Sequence, residues 1–408
     1  VAPTTTTAVP TTTASPTTTT AVPTTTAPPT TTTVAPTTTT AVPTTTTSPP
    51  TTTVPPTTTT EVPTGPLGTV VECSDRDRHR YCVAAGGPVA PIGIDVYGRK
   101  VGYTPEILCA TDVSDLVCTE VTRTILIGMA EWGTYGPLEY WVQGLDEDAA
   151  RDLIEVNCDR RAQRGHRNRA ICVIDHAERD HGMLSYQRLG VEAIEAGRPS
   201  GSAGHNGGRQ WNMHFFTSSL PWGFTDQFDV PGASEQKTVL HEYFHAVQHA
   251  QLMTTDHEFR QEGGLGPVWF VEGGAEWMAQ ATLDRLREDG TVPEVNAEGR
   301  GSFVFEEEMR WKMVSGLEDI AGCPGDQLHD WGYDHCRTGA YDLGAWAHAW
   351  LSHRFGSDVL LEVLFPVLDA RGWDAAFEHA YGLTPAQFSD EFDGFLAWDL
   401  DDQLAILP

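Results

Sequence analysis

His241 and His245 stand four residues apart in the run His241-Glu242-Tyr243-Phe244-His245. Residues at that spacing share one face of an α-helix, so both imidazoles can reach a single ion. Glu242 projects about 100° further round the helix. There it can hold a water beside the ion without taking a coordination position. Leu240, Phe244 and Val247 recur at intervals of four and three, which gives the same helix a separate apolar stripe to bury. The two faces are compatible, and a helix is expected near 234–252. Two imidazoles alone leave the site incomplete, so a third ligand must come from elsewhere.

Downstream lies Trp269-Phe270-Val271-Glu272-Gly273-Gly274-Ala275-Glu276-Trp277, which reads as part of a second long helix over Val268–Arg287. Glu272 and Glu276 are four apart and face the same way. The glycine pair is expected to let this helix pass close to the first, at some loss of helix propensity. Metzincins place Gly and His at set intervals after the second histidine. Gln248 and Gln251 stand at those positions, which excludes that class.

HExxH followed by a glutamate helix resembles the gluzincin zinc metallopeptidases. The local forms HEYFHxxQ and WFxEGxAE look like the secreted bacterial branch, and the resemblance covers roughly residues 205–400. It implies one zinc per chain, with His241, His245 and Glu272 as ligands and Glu242 as general base. Glu276 then matches the carboxylate that orients a ligand imidazole. Gly339-Ala340-Tyr341-Asp342-Leu343-Gly344 is similar to the helix start that supplies a transition-state tyrosine, which assigns Tyr341 to oxyanion stabilisation. Tyr333 and His335, in a Cys-flanked loop, are rival electrophiles. His249 continues the ligand face by one turn. His348 and His353 read as ordinary helix residues. The chain has no GxMEN-type exopeptidase loop, so the resemblance does not extend to aminopeptidase specificity. The family's architecture makes Gln210–Phe216 the candidate edge strand for a peptide substrate.

Short strand candidates precede a helical half, which reads as α+β. A zincin-like domain is expected over 126–408, with a small mixed β-sheet, an edge strand, the active-site helix and a helical C-terminal half. Thr122–Met129 and Ala170–Ile174 read as strands, and Asp146–Asn157 as a helix with an acidic first turn. Further helices are expected at Tyr341–Phe355, Val359–Ala370, Trp373–Tyr381 and Pro385–Trp398, the last opening on Thr384 as cap. Residues 67–125 read as a loop-rich region with two close cysteine pairs. The eight cysteines lack CxxC spacing and therefore suit disulfides better than a zinc ribbon. Local closure costs least entropy, which favours Cys73–Cys82, Cys109–Cys118, Cys158–Cys172 and Cys323–Cys336.

Composition separates a stalk from this domain. Residues 1–64 hold 34 Thr and 13 Pro, with Glu61 as their single charge, so residues 1–66 cannot bury enough surface to fold. Such a segment is expected to be disordered and extended, as a spacer between the domain and a cell envelope reached through the N-terminus. The chain begins at Val1, so a leader is expected to have been removed or left out. The net charge of -30 over 408 residues opposes nucleic acid or an anionic membrane as main partner. No apolar run approaches the roughly 18–20 residues of a membrane span. Two function classes follow. One is a secreted or cell-surface zinc metallopeptidase acting on a peptide or protein. The other is a non-catalytic binding or adhesive surface protein built on the same domain. The intact Glu242 favours the first, because a decayed enzyme is free to lose it.

Overall fold

A computed structural model describes residues 70–196, 202–205, 212–219, 235–291 and 304–408. The Thr/Pro-rich stalk lies outside the described residues. Six strands, β1 (Val71–Arg76), β2 (His79–Ala84), β3 (Glu106–Cys109), β4 (Leu138–Gln143), β5 (Ser202–His205) and β6 (His214–Ser219), form one sheet in the order β1-β2-β3-β4-β6-β5. β3, β4 and β6 run parallel, and the outer pairs are antiparallel. The three parallel strands are buried throughout, which suits the run Leu138 to Val142 and the pair Phe215-Phe216. The hairpin β1–β2 places Cys73 opposite Cys82, and a disulfide joins them across the ladder.

Thirteen α-helices follow or interleave among the described residues. They are α1 (Asp115–Trp132), α2 (Glu147–Gln163), α3 (Arg169–Glu178), α4 (Met183–Glu195), α5 (Glu235–Ala250), α6 (His257–Phe259), α7 (Val268–Glu288), α8 (Phe305–Ile320), α9 (Arg337–Phe355), α10 (Phe365–Arg371), α11 (Trp373–Tyr381), α12 (Pro385–Leu396) and α13 (Leu400–Leu404). Short strands and a helical C-terminal half make the domain α+β. All four local disulfides are present, including Cys109–Cys118, Cys158–Cys172 and Cys323–Cys336. Thr384 caps α12 in a reciprocal box with Gln387. No described helix is long and apolar enough to cross a membrane.

Four expectations are corrected. Thr122–Met129 lies inside α1, although its β-branched residues favour a strand. Ser114 caps that helix, and the hydroxyls of Thr122 and Thr124 donate back to the carbonyls of Cys118 and Glu120 at 2.7 and 2.8 Å. Val117, Val121 and Ile125 are buried at helical spacing, so tertiary packing overrides propensity. Ala170–Ile174 lies in α3, because Asn168 accepts from the backbone of Ala170 and Ile171 and starts a helix. The strand placed at Gln210–Phe216 is β6, which starts at His214; Gln210 and Trp211 lie outside the described residues. β6 has a neighbour on each side, so it cannot offer a peptide its edge. Among the described residues the edge strands are β1 and β5. Residues 67–125, read as loop-rich, supply β1 to β3 and the start of α1.

The helix of the two histidines, α5, packs on α1, α7 and β5. Leu240, Phe244 and Val247 are fully buried on its apolar side, as its periodicity requires. Trp132 stacks on Tyr243 and meets Phe244 edge-on, and the Tyr243 hydroxyl donates to the carbonyl of Gly133 at 2.5 Å. These contacts fix the rotation of α5 and so the direction of His241 and His245.

Candidate metal centre

α7 enters from Gly266 and Pro267, with Gly266 at φ 109° beneath the Trp373 ring. Trp269 and Phe270 anchor its first turn against Trp373, Phe377 and Phe388. Glu272 and Glu276 then face α5. One glycine of the pair works differently from expectation. A Cβ on Gly273 would lie 2.2 Å from the backbone carbon of Gly344, so this glycine admits α9, not α5. Gly274 instead faces the His348 ring and the amide of Gln248.

Three atoms converge between α5 and α7. Glu272 Oε2 lies 3.3 Å from His241 Nε2 and 3.2 Å from His245 Nε2, and the two nitrogens are 3.1 Å apart. A tetrahedral ion with bonds of about 2.0–2.1 Å holds its ligand atoms about 3.3–3.4 Å apart. The triangle therefore matches one face of such a coordination shell. His241, His245 and Glu272 form a buried group able to hold a metal ion. A second cluster, Cys323, Asp326, His335 and Cys336, is different, since its sulfurs are joined in a disulfide and offer no thiolate.

The outer contacts set the protonation of the ligands. The Nε2 of Gln248 donates to the carbonyl of Val271 at 2.8 Å, which leaves its Oε1 to accept from His245 Nδ1 at 2.7 Å. That bond assigns the His245 proton to Nδ1 and turns the Nε2 lone pair toward Glu272. The His245 lone pair and the Glu272 carboxylate then face one another in a buried site, which favours a positive charge between them, whether a proton on His241 or a metal ion. Burial opposes charge on His241, but Glu272 and Glu276 outweigh it and hold its pKa up to about 10. Despite burial, the imidazoles keep Glu272 well below the usual carboxylate range.

Glu276 sits behind His241, with Oε1 3.2 Å from Nδ1. Lys237 donates to both its oxygens at 3.0 and 3.1 Å, Gln280 donates at 2.8 Å, and Lys312 lies 3.4 Å away. Lys312 also donates to Asp342 at 2.8 Å. Two of the three lysines in the chain thus converge on one buried carboxylate. They hold Glu276 anionic against the burial that would neutralise it. Lys312→Met is expected to cost about 3 kcal/mol or more, because it strips two buried carboxylates of a counter-charge. Urea denaturation measures this, and a loss under about 1 kcal/mol would contradict the pairing.

Glu242 lines the same cleft, of about 570 Å³. Burial pushes its carboxyl above the ordinary range, the two imidazoles pull it back, and Glu272 and Glu276 add to the rise. The structure brings both rival tyrosines to the cleft. Tyr333 is at the tip of a tight turn closed between Gly332 and His335, inside the Cys323–Cys336 loop, and its hydroxyl donates to Glu272 Oε1 at 2.7 Å. The Tyr341 ring lies parallel to His241, with centroids 6.4 Å apart. Burial and the Glu272 charge raise both phenol pKa values, so both hydroxyls stay protonated donors. His335 points away and pairs with Asp326. His249 lines the cleft, His353 is exposed on a Trp350 stack, and His348 is buried against the Phe270 carbonyl. Sequence reasoning assigned no role here to Gln248, Lys237 or Lys312. The scarcity of lysine was the signal for the last two.

No protein-family profile, curated protein or solved structure matches this chain.

Proposed function

We propose that this chain is a secreted or cell-surface zinc metallopeptidase of the gluzincin kind, with a zincin-like domain. The observation that carries this is the triangle of ligand atoms 3.1–3.3 Å apart, with the carboxylate of Glu242 in the same cleft. Two imidazoles and one carboxylate suit zinc, and three protein ligands leave a position open. When bound, zinc supplies Lewis acidity that makes a water nucleophilic near neutral pH. Glu242 accepts the proton of that water on its carboxylate and returns it to the leaving amine. Tyr341 offers a hydroxyl donor to the charge that develops on the carbonyl oxygen, while the Tyr333 hydroxyl donates to Glu272 and steadies that carboxylate. Glu276 and Gln248 hold the Nδ1 sides of His241 and His245, so neither ring turns away from the centre. The edge strand β5, whose Gly204 lines the cleft, offers backbone groups to an extended peptide. Four disulfides and the Thr/Pro-rich stalk support the extracellular assignment.

Incubating the zinc-loaded full chain with a peptide library tests this reading. Cleavage should appear, stop on chelation and return with added zinc. A zinc-loaded protein that cleaves no peptide and no protein substrate would contradict it.

A further inference from the structure

The wall of the cleft holds an arginine that the chemistry above leaves unused. Arg260 begins a π-helical stretch, Arg260–Gly264, between α6 and α7. It is only 2% exposed, yet it lines the same cleft as the metal-binding group. Its Nη2 donates to the Tyr97 hydroxyl and to the carbonyl of His249 at 2.5 Å. The guanidinium carbon lies 5.3 Å from the centre of the Tyr97 ring. Among the described residues its Nε is buried without a partner and no carboxylate pairs with the group.

That absence is not for want of acids. The chain has 56 acidic side chains against 26 basic ones. Other shielded arginines take carboxylates readily: Arg160 and Arg164 both pair with Glu139. A guanidinium stays charged at any working pH. Burying one without an anion is costly, and an anion entering the cleft relieves that cost. Two neutral oxygen acceptors hold Arg260 in place, and among the described residues no carboxylate offsets its charge. His249 is four residues beyond His245 on α5, about 6 Å along the helix axis. An extended peptide advances about 3.3 Å per residue. A carboxylate at Arg260 therefore falls one to three residues from the bond at the metal-binding group.

We propose that Arg260 is a specificity subsite that selects peptides carrying a carboxylate within one to three residues of the cleaved bond. The proposal rests on the peptidase reading above and names its substrate class. The carboxylate comes either from an Asp or Glu side chain or from the peptide's own C-terminus.

The test takes one cleaved peptide and varies it in two arms. One arm exchanges Glu for Gln at each of the three positions on either side of the bond. The other exchanges a free C-terminus for an amide. Ratios of kcat/KM within each pair are read for the parent, Arg260→Gln and Arg260→Lys. The same pairs are titrated by calorimetry into Glu242→Gln, with and without Arg260→Gln, so that binding is read apart from turnover. In at least one arm the carboxylate peptide should win by roughly tenfold or more in the parent, as charge-assisted hydrogen bonds do. The advantage should vanish in Arg260→Gln and shrink in Arg260→Lys, which keeps the charge but loses the planar fork. The arm that responds names the source. A parent that does not discriminate in either arm overturns the proposal, as does discrimination that survives Arg260→Gln. Should Arg260→Gln fail to fold, undiminished discrimination in Arg260→Lys overturns it. If no peptide is hydrolysed at all, the peptidase reading fails, while the calorimetric pairs still decide the role of Arg260.

Discussion

Glu242→Gln is expected to bind zinc as the parent does and to lose peptide hydrolysis by roughly 10²–10⁴-fold in kcat. Gln keeps the size and shape of the side chain, so α5 and its ligands stay in place. It cannot take a proton from water. The parent carboxylate suits that task, because burial raises its pKa above the ordinary carboxylate value while the two imidazoles limit the rise. A base with a raised pKa accepts a proton more readily in the transition state. The loss should appear in kcat, with KM nearly unchanged, since the role proposed for Glu242 is to move a proton and not to bind peptide. Steady-state kinetics together with metal analysis of the same sample checks both halves. Activity within about threefold of the parent would remove Glu242 from the mechanism.

Gly273→Ala is expected to destabilise the domain by about 3 kcal/mol and to lower its metal content. The new Cβ would sit 2.2 Å from the backbone of Gly344, and a Cβ on Gly344 would meet the carbonyl of Trp269 at 2.6 Å. Backbone cannot rotate away as a side chain can, so α7 and α9 must separate, an overpacking cost at the upper end of the usual 1–3 kcal/mol. Glu272 precedes Gly273 directly, so the separation also shifts the ligand. Gly394 in α12 provides the contrast, because nothing lies within 4 Å of its added Cβ. Gly394→Ala should be neutral or stabilising by up to about 1 kcal/mol. Chemical denaturation of the two variants separates these outcomes. Equal stabilities would show that the α7–α9 contact is looser than described.

Much of the centre was legible because its spacing is helical. His241, His245 and the stripe Leu240, Phe244 and Val247 need only the 3.6-residue period. The partners of those residues were less legible, because they arise from tertiary geometry. Gln248 drew attention only as the residue that excludes metzincins. Its amide reads as a tautomer lock only once the Val271 carbonyl is seen beside it. The β-branched stretch in α1 misled propensity, since burial decides that segment. The Asn168 cap was present in the sequence and shows why 170–174 begins a helix. The edge strand was misplaced because Gly-rich residues around 200–208 carry no alternation to read.

Metal content tests the central claim most directly. The full chain, loaded with zinc and dialysed, should retain one zinc per chain. His245→Ala and Glu272→Ala should each retain almost none, while Glu276→Gln should retain zinc with affinity weakened about 10- to 100-fold. Stoichiometric zinc in Glu272→Ala, at the parent's affinity and with a native fold, would contradict the His241, His245 and Glu272 centre.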